Sequence, residues 1–374
     1  MKPKLVLFEF RMIGDAVMAL PFLQSVRESY DVYVCCAPGG RDVFQMVLPP
    51  EKILCWRPPW IDESSKYSPA KILKQYPGEL LQQIRALKFE IGVCSWADPR
   101  SSLMMVMGGI PRRIGFDLQP QNYYGHERPW RASALQKGHL IQKFMDSIGK
   151  PLLTESLTRT EYLQNHVEDW AQLCRHLREE WRPEFPWLSQ PASHLPDELT
   201  AFIKKHQELG PVGIVHCGAR GEARRWPVDR FRMLLEKFFL PRKLPVILID
   251  LPDLTIPDLQ HQLIKTYRPE SLASYVSLCG LTDYALCNDT GSAHLAGATG
   301  KPVVTIFTNN RPEWFAPYGN QPLAVEGADC PYKPCLERCV MPSYICRDGV
   351  TVEAVEEKLI QCLSLIGLSA PARS

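Results

Sequence analysis

Between Tyr284 and Phe307 the sequence reads as one strand–helix–strand unit. The apolar approach ends in Asn288-Asp289-Thr290-Gly291, a run of small and apolar residues follows through Ala298, and Gly300-Lys301-Pro302 leads into Val303-Val304-Thr305-Ile306-Phe307. Start and stop signals placed this way make a βαβ unit, which belongs in a parallel sheet. At the start of its helix Asp289 or Thr290 can cap, Gly291 admits a close approach to the backbone, and unpaired N–H groups point outward. Such a terminus attracts phosphate, although the same residues also suit a capped core helix with no ligand.

The rest of the chain repeats the alternation. Strands are expected at Leu5–Phe10, Val32–Cys36, Ile53–Trp56, Ile91–Ser95 and Arg113–Phe116, with helices from Asp15, near Gly40–Val47, and at Gly78–Leu87 and Arg100–Met107. A charged helical pattern lies between Glu161 and Trp181, and Trp56–Pro77 reads as a surface excursion. Pro183, Pro186, Pro191 and Pro196 then break the chain, which predicts a first domain over 1–182 and a second over 183–350. The second domain's strands are expected from Val212, at Val246–Ile249, at Tyr284–Cys287 and at Val303–Phe307, with a last helix at Val352–Ile366 inside a C-terminal segment, 351–374. The class is α/β with parallel sheets covered on both faces.

With 43 Lys and Arg against 41 Asp and Glu, the chain has no charge for general nucleic-acid binding. Glu9, Arg11 and Asp15 interrupt the apolar N-terminus where a signal peptide would run, and no stretch has the length of a membrane span. Thirteen cysteines without an export signal point to reduced thiols in a cytoplasm. The first turn, Phe10-Arg11-Met12-Ile13-Gly14-Asp15, lacks the G-x-G-x-x-G that seats a pyrophosphate, so a dinucleotide site is not expected there.

Three segments carry a family resemblance. They are Arg11-Met12-Ile13-Gly14-Asp15, then His216-Cys217-Gly218-Ala219 with Arg224-Arg225-Trp226-Pro227, and Asp289-Thr290-Gly291-Ser292-Ala293-His294. In this order, over roughly three hundred residues, they resemble glycosyltransferase family 9, the lipopolysaccharide heptosyltransferases. That family is marked by R-x-x-G-D, H-P-G-A with K-x-W-P, and D-T-G-x-x-H. The departures are Cys217 in place of the motif's Pro and Arg224 in place of its Lys. The resemblance implies the GT-B architecture, two Rossmann-like domains facing across a cleft. The N-terminal one would bind the acceptor and the C-terminal one the nucleotide-sugar donor, with the last helix packing back on the N-terminal domain. It also implies an ADP-heptose donor, a lipopolysaccharide core acceptor and a cytoplasmic enzyme peripheral to the inner membrane.

Sugar transfer from a nucleotide diphosphate needs a base for the acceptor hydroxyl and positive or dipolar groups for the leaving diphosphate. Asp15, after Gly14 at a strand's C-terminal edge, is the base candidate, and in the family the matching Asp is taken as that base. The competing reading is a carboxylate that satisfies its own helix terminus. Direct displacement by the acceptor inverts the anomeric centre and needs no second carboxylate. For the donor the candidates are Gly218, Arg224, Arg225, Asp289, Thr290, Gly291, Ser292 and His294, with the diphosphate assigned to the Thr290-Gly291-Ser292 terminus and the two arginines, and with His294 suiting a ligand or a buried core equally. Asp250 and Asp253 are candidates for ribose hydroxyls.

An anionic, membrane-borne acceptor calls for basic residues in the N-terminal domain. Arg11, Arg112 and Arg113 are the candidates, within a stretch from Arg100 to Lys143 that also holds Arg128, Arg131 and Lys137. Cys330, Cys335, Cys339 and Cys346 crowd a Pro-rich loop where structural zinc or iron can supply folding energy, although the spacing lacks a C-x₂-C knuckle. Catalysis itself calls for no metal. Transfer to a protein hydroxyl or another glycan, and nucleotide-sugar binding without turnover, remain alternatives.

Overall fold

The computed structural model describes residues 1–59, 77–96, 98–116, 150–159, 164–189, 195–252, 254, 256, 259–330, 332–333, 339 and 341–368. The chain divides into two compact units, Met1–Glu184 and Phe185–Ser374. Each is built on one sheet.

In the first unit the strands are β1 (Lys4–Glu9), β2 (Asp31–Cys36), β3 (Ile53–Cys55), β4 (Ile91–Cys94), β5 (Arg112–Phe116) and β6 (Glu155–Leu157). All pair in parallel, in the order β3-β2-β1-β4-β5-β6. Leu5, Val6 and Leu7 in β1 are fully buried, as a strand covered on both faces requires. The helix Gly78–Leu87 turns Leu80, Leu81 and Ile84 inward and stops at Lys88, whose φ of 52° is left-handed. The expected helical pattern after Glu161 is the helix His166–His176, begun by Asn165, whose side chain accepts from the Val167 amide.

The second unit holds β7 (Gly213–His216), β8 (Val246–Ile249), β9 (Ile264–Tyr267), β10 (Tyr284–Asn288), β11 (Val303–Phe307) and β12 (Ala324–Glu326). Their parallel order is β12-β11-β10-β7-β8-β9. Trp226, Phe231, Phe238, Phe239 and Tyr284 are among the largest side chains of its core. The last helix, Val352–Leu365, is begun by Thr351, whose hydroxyl accepts from the Ala354 amide. The resemblance sends it to the N-terminal domain, and in the structure Val352, Val355, Leu359, Cys362 and Leu363 are buried in this second core.

In both sheets the chain steps outward from a central strand to one edge, then resumes on that strand's other side. The loops after β1 and β4, and after β7 and β10, therefore leave adjacent strand ends in opposite directions. Such switch points are where open α/β sheets form ligand crevices. No helix among the described residues is long and apolar enough to cross a membrane.

Candidate active site

β1 ends in Glu9, and the chain turns through Phe10, Arg11 and Met12 into the helix Ile13–Met18. Two successive amides of this turn are taken by carboxylates. The Arg11 amide donates to Glu9 Oε1 at 2.9 Å, and the Met12 amide donates to Asp15 Oδ2 at 3.0 Å. Both amides are thus satisfied from within the chain. Asp15 is both a cap and a half-buried carboxylate, and its Oδ1 makes no hydrogen bond among the described residues. The helix-capping role and the base role use different oxygens of one side chain.

Around this turn the structure gathers the acceptor candidate Arg11 with groups that sequence reasoning missed, Glu9, Trp96, His166, Asp169 and Arg159. Glu9 is 1% exposed, and burial, followed by the charge of Asp15, pushes its carboxyl well above the ordinary range. The Arg11 guanidinium lies 3.4 Å from the centroid of Trp96, just past β4. Trp96 in turn packs against His166 with ring centroids 3.8 Å apart, and burial lowers the imidazole's pKa. His166 Nδ1 meets the carboxylate of Asp169, which Arg159 also reaches. A carboxylate at the end of an otherwise apolar strand was the one local signal for Glu9.

Arg112 and Arg113, candidates for the acceptor, have partners within the chain. Arg112 donates to both oxygens of Glu155 at 2.6 and 3.0 Å, clasping β5 to β6. His176 also meets Glu155, and with Arg112 it holds that carboxyl down to about 2, against the effect of burial. Arg113 donates to the carbonyls of Leu152 and Ile110 at 2.7 and 2.8 Å. Arg100 forks onto Asp98 at 2.8 Å through both nitrogens. The remaining basic candidates, Arg128, Arg131, Lys137 and Lys143, lie outside the described residues, as do most of the excursion after Trp56 and Asp253.

At the second switch point Asn288, 0% exposed, joins three segments. Its amide nitrogen donates to the carbonyls of Cys217 and Gly218 at 2.7 and 3.3 Å, and its oxygen accepts from the Trp226 amide at 3.1 Å. The loop after β7 and the Arg224-Arg225-Trp226-Pro227 segment are thereby held at the end of β10. Trp226 Nε1 donates to the Val350 carbonyl at 2.8 Å, and Thr308 donates to the Ala223 carbonyl at 2.6 Å. No sequence motif flagged Asn288 or Thr308.

The helix Gly291–Ala298 begins at Thr290, whose φ and ψ of −148° and 168° are those of a cap, yet no side chain caps the first turn. Thr290 Oγ1 donates back to the Asn288 carbonyl at 3.3 Å. Asp289 is buried and accepts from Asn310 Nδ2 at 2.7 Å, which directs its carboxylate toward the β11 end and away from the helix amides. Ser292 Oγ lies 3.0 Å from His216 Nε2, and burial draws that imidazole down to about 4, so it is neutral at pH 7. His294 is 6% exposed inside the helix.

The two adjacent arginines differ. Arg225 donates to the Ala219 carbonyl at 3.1 Å and closes its own loop, while Arg224 ends the short turn Glu222–Arg224 that Thr308 anchors. At Gly218 a Cβ would stand 2.1 Å from Leu251 Cδ1, the movable end of a side chain, so a larger residue there requires Leu251 to shift. Asp250 is paired with Arg268 at 2.6 Å. Of the cysteine cluster, Cys330, Cys339 and Cys346 border one small cavity with Lys333, and Cys335 lies outside the described residues. Among the described residues no group of three His, Cys, Asp or Glu side chains is disposed to hold a metal.

Solved structures with similar backbones include a glycosyl transferase family 9 protein from Veillonella parvula, at 15% identity over 98% of each chain with a TM-score of 0.65. Two others come from E. coli. Heptosyltransferase WaaC, solved with ADP-2-deoxy-2-fluoro heptose, is 12% identical over 96% of this chain and 99% of its own, with a TM-score of 0.63. ADP-heptose lps heptosyltransferase II is 14% identical over 98% and 100%, with a TM-score of 0.60. At such identities the likeness establishes the fold, two Rossmann-like units of the GT-B type. No curated protein matches by sequence. The family model for glycosyltransferase family 9 (heptosyltransferase) matches residues 78–345, which takes in the whole second switch point and leaves the Asp15 turn to its own geometry. By that match, over more than half its length, the chain belongs to glycosyltransferase family 9.

Proposed function

We propose that this protein transfers a heptose from an ADP-activated donor to a lipopolysaccharide core acceptor with inversion, Asp15 acting as general base. The observation that carries the reading is that the Gly-Asp turn and the Asp-Thr-Gly segment each fall at the switch point of their own sheet. Family membership supplies the reaction class, and the WaaC structure holding an ADP-heptose analogue supports the donor.

In this reaction the acceptor oxygen attacks the anomeric carbon as the bond to the diphosphate breaks. Asp15 Oδ1 takes the acceptor proton while Oδ2 stays on the Met12 amide, so the base is held by the turn it serves. A carboxylate suffices because bonding to the anomeric carbon acidifies the hydroxyl late in the step. The leaving diphosphate gains charge, which the Gly291 and Ser292 amides, the helix dipole and Arg224 oppose. Neutral His216 fixes the Ser292 hydroxyl without adding charge beside the phosphates. The anionic acceptor sits at a membrane surface, and no step of the transfer calls on the cysteine loop.

The test is transfer by the purified chain from a panel of ADP-, UDP- and GDP-sugars to truncated lipopolysaccharide cores, with the product's anomeric configuration read by NMR. ADP-heptose alone giving an inverted product is the expected result. A preference for another nucleotide or sugar, or transfer only to a protein hydroxyl, would replace this reading.

A further inference from the structure

β2 and β3 pair in parallel with Cys36 opposite Cys55 at the end of both strands. Neighbouring strands lie about 4.8 Å apart and paired residues project to the same face, within the roughly 4.4–6.8 Å Cα separation that a disulfide needs. Cys35 pairs with Leu54 and, by strand alternation, points to the other face. The two opposed thiols differ in access. Cys36 is 0% exposed, whereas Cys55 stands exposed on the edge strand.

Contact between them sharpens the difference. A hydrogen bond from Cys36, against partial burial and with help from Arg41, brings the Cys55 thiol down to about 7, with Asp42 a smaller opposing charge. The same bond and burial push the Cys36 thiol far up. Reactive sensor thiols share this pattern of an accessible thiolate beside a second sulfur.

We propose that Cys55 is a peroxide-reactive thiol and Cys36 its resolving partner, closing a disulfide between β2 and β3. The Cys55 thiolate attacks one peroxide oxygen and the O–O bond breaks. The departing hydroxide takes up a proton to leave as water, and Cys55 becomes a sulfenic acid. Cys36 sulfur then attacks the Cys55 sulfur, the S–O bond breaks, and the released hydroxide carries away the Cys36 proton as a second water. Two thiols are oxidised by two electrons and one hydrogen peroxide is reduced. The site lies beside the turn that carries Asp15, since the Trp56 amide donates to the Cys36 carbonyl at 3.0 Å and the Trp56 ring meets Phe10 edge-on at 5.8 Å.

The test uses the full reduced chain and near-stoichiometric hydrogen peroxide at pH 7, followed by non-reducing peptide mapping. The expected product is a Cys36–Cys55 link, absent in Cys55→Ser, with Cys55 sulfenic acid trapped by dimedone in Cys36→Ser. Links dominated by other cysteines would overturn the proposal. Should Cys36→Ser fail to fold, limiting iodoacetamide on the unaltered chain decides. Cys55 should alkylate first, with a midpoint near the thiol's own value of about 7. At pH 7 its rate should exceed that of an ordinary thiol by roughly threefold, because a roughly fifteenfold larger thiolate fraction outweighs a roughly fivefold lower nucleophilicity. A midpoint above roughly 8, that of an ordinary thiol, or labelling of another cysteine first, defeats the proposal.

Discussion

Asp15 uses one oxygen for the Met12 amide, and in the proposed mechanism the other serves the acceptor, so Asp15→Asn separates structure from chemistry. An asparagine oxygen can still accept from Met12, and fold and donor affinity should persist while turnover drops by about 10²–10⁴, the usual worth of general base catalysis. Near-native transfer by this variant would remove Asp15 from the mechanism. Arg224→Ala should weaken ADP binding by roughly 1.5–3 kcal/mol, the scale of one charge-assisted contact, and leave adenosine binding nearly unchanged. Equal losses for the two ligands in a calorimetric titration would show that Arg224 holds something other than phosphate. His216 carries a pH signature. Its folded value, about 4, lies below the 6.5 of an ordinary imidazole, so the unfolded chain takes up the proton first as pH falls. The stability that neutral His216 confers is complete above about pH 6.5 and is lost on the way down to about pH 4, a change of roughly 3 kcal/mol at most. His216→Asn, which keeps an acceptor for Ser292, should flatten the stability profile in that window. An unchanged slope in denaturant titrations would contradict a buried neutral imidazole.

The strands that position the site were legible because they are apolar runs buried on both faces: β1, β7, β10 and β11 all end within a residue or so of where the apolar run stops. Three edge strands were not. Ile264–Tyr267 has no fully buried residue, and Glu155–Leu157 and Ala324–Glu326 have three residues each, too few for a period to show. The loops at the strand ends depend on a side chain that no motif marked. Asn288 supplies the side-chain bonds that link Cys217, Gly218 and Trp226 to β10, and Asn288→Ala leaves the Trp226 amide without this partner in a buried place. That change should cost about 2–4 kcal/mol of unfolding free energy, one desolvated amide plus lost carbonyl contacts. It should also weaken donor binding, because the Arg224 segment loses this anchor and keeps the one from Thr308. A variant as stable as the parent in urea titration would mean that water replaces the amide.

At the scale of the whole molecule, the reaction proposed here runs on backbone amides, a helix dipole and arginine. Chelator added to the purified enzyme should therefore leave transfer unchanged over the first minutes, whatever elemental analysis finds in the cysteine loop. Immediate loss restored by magnesium would overturn the metal-free chemistry, and substoichiometric zinc and iron would remove the structural site. By itself the sequence determined the parallel α/β class, the run of strands and helices along most of the chain, and the turns that carry Asp15 and Thr290. These are local facts, written in the period of apolar residues and in the residues that start and stop helices. Only the tertiary structure decided which turns share a switch point, because strand order leaves no trace in local periodicity. It also decided which charges are already engaged. Arg112 meets a partner 43 residues away and Asn288 one that is 71 residues away, and Glu9 becomes a buried acid only once β2 pairs beside it. A charge's availability depends on its solvent and its neighbours, and folding sets both.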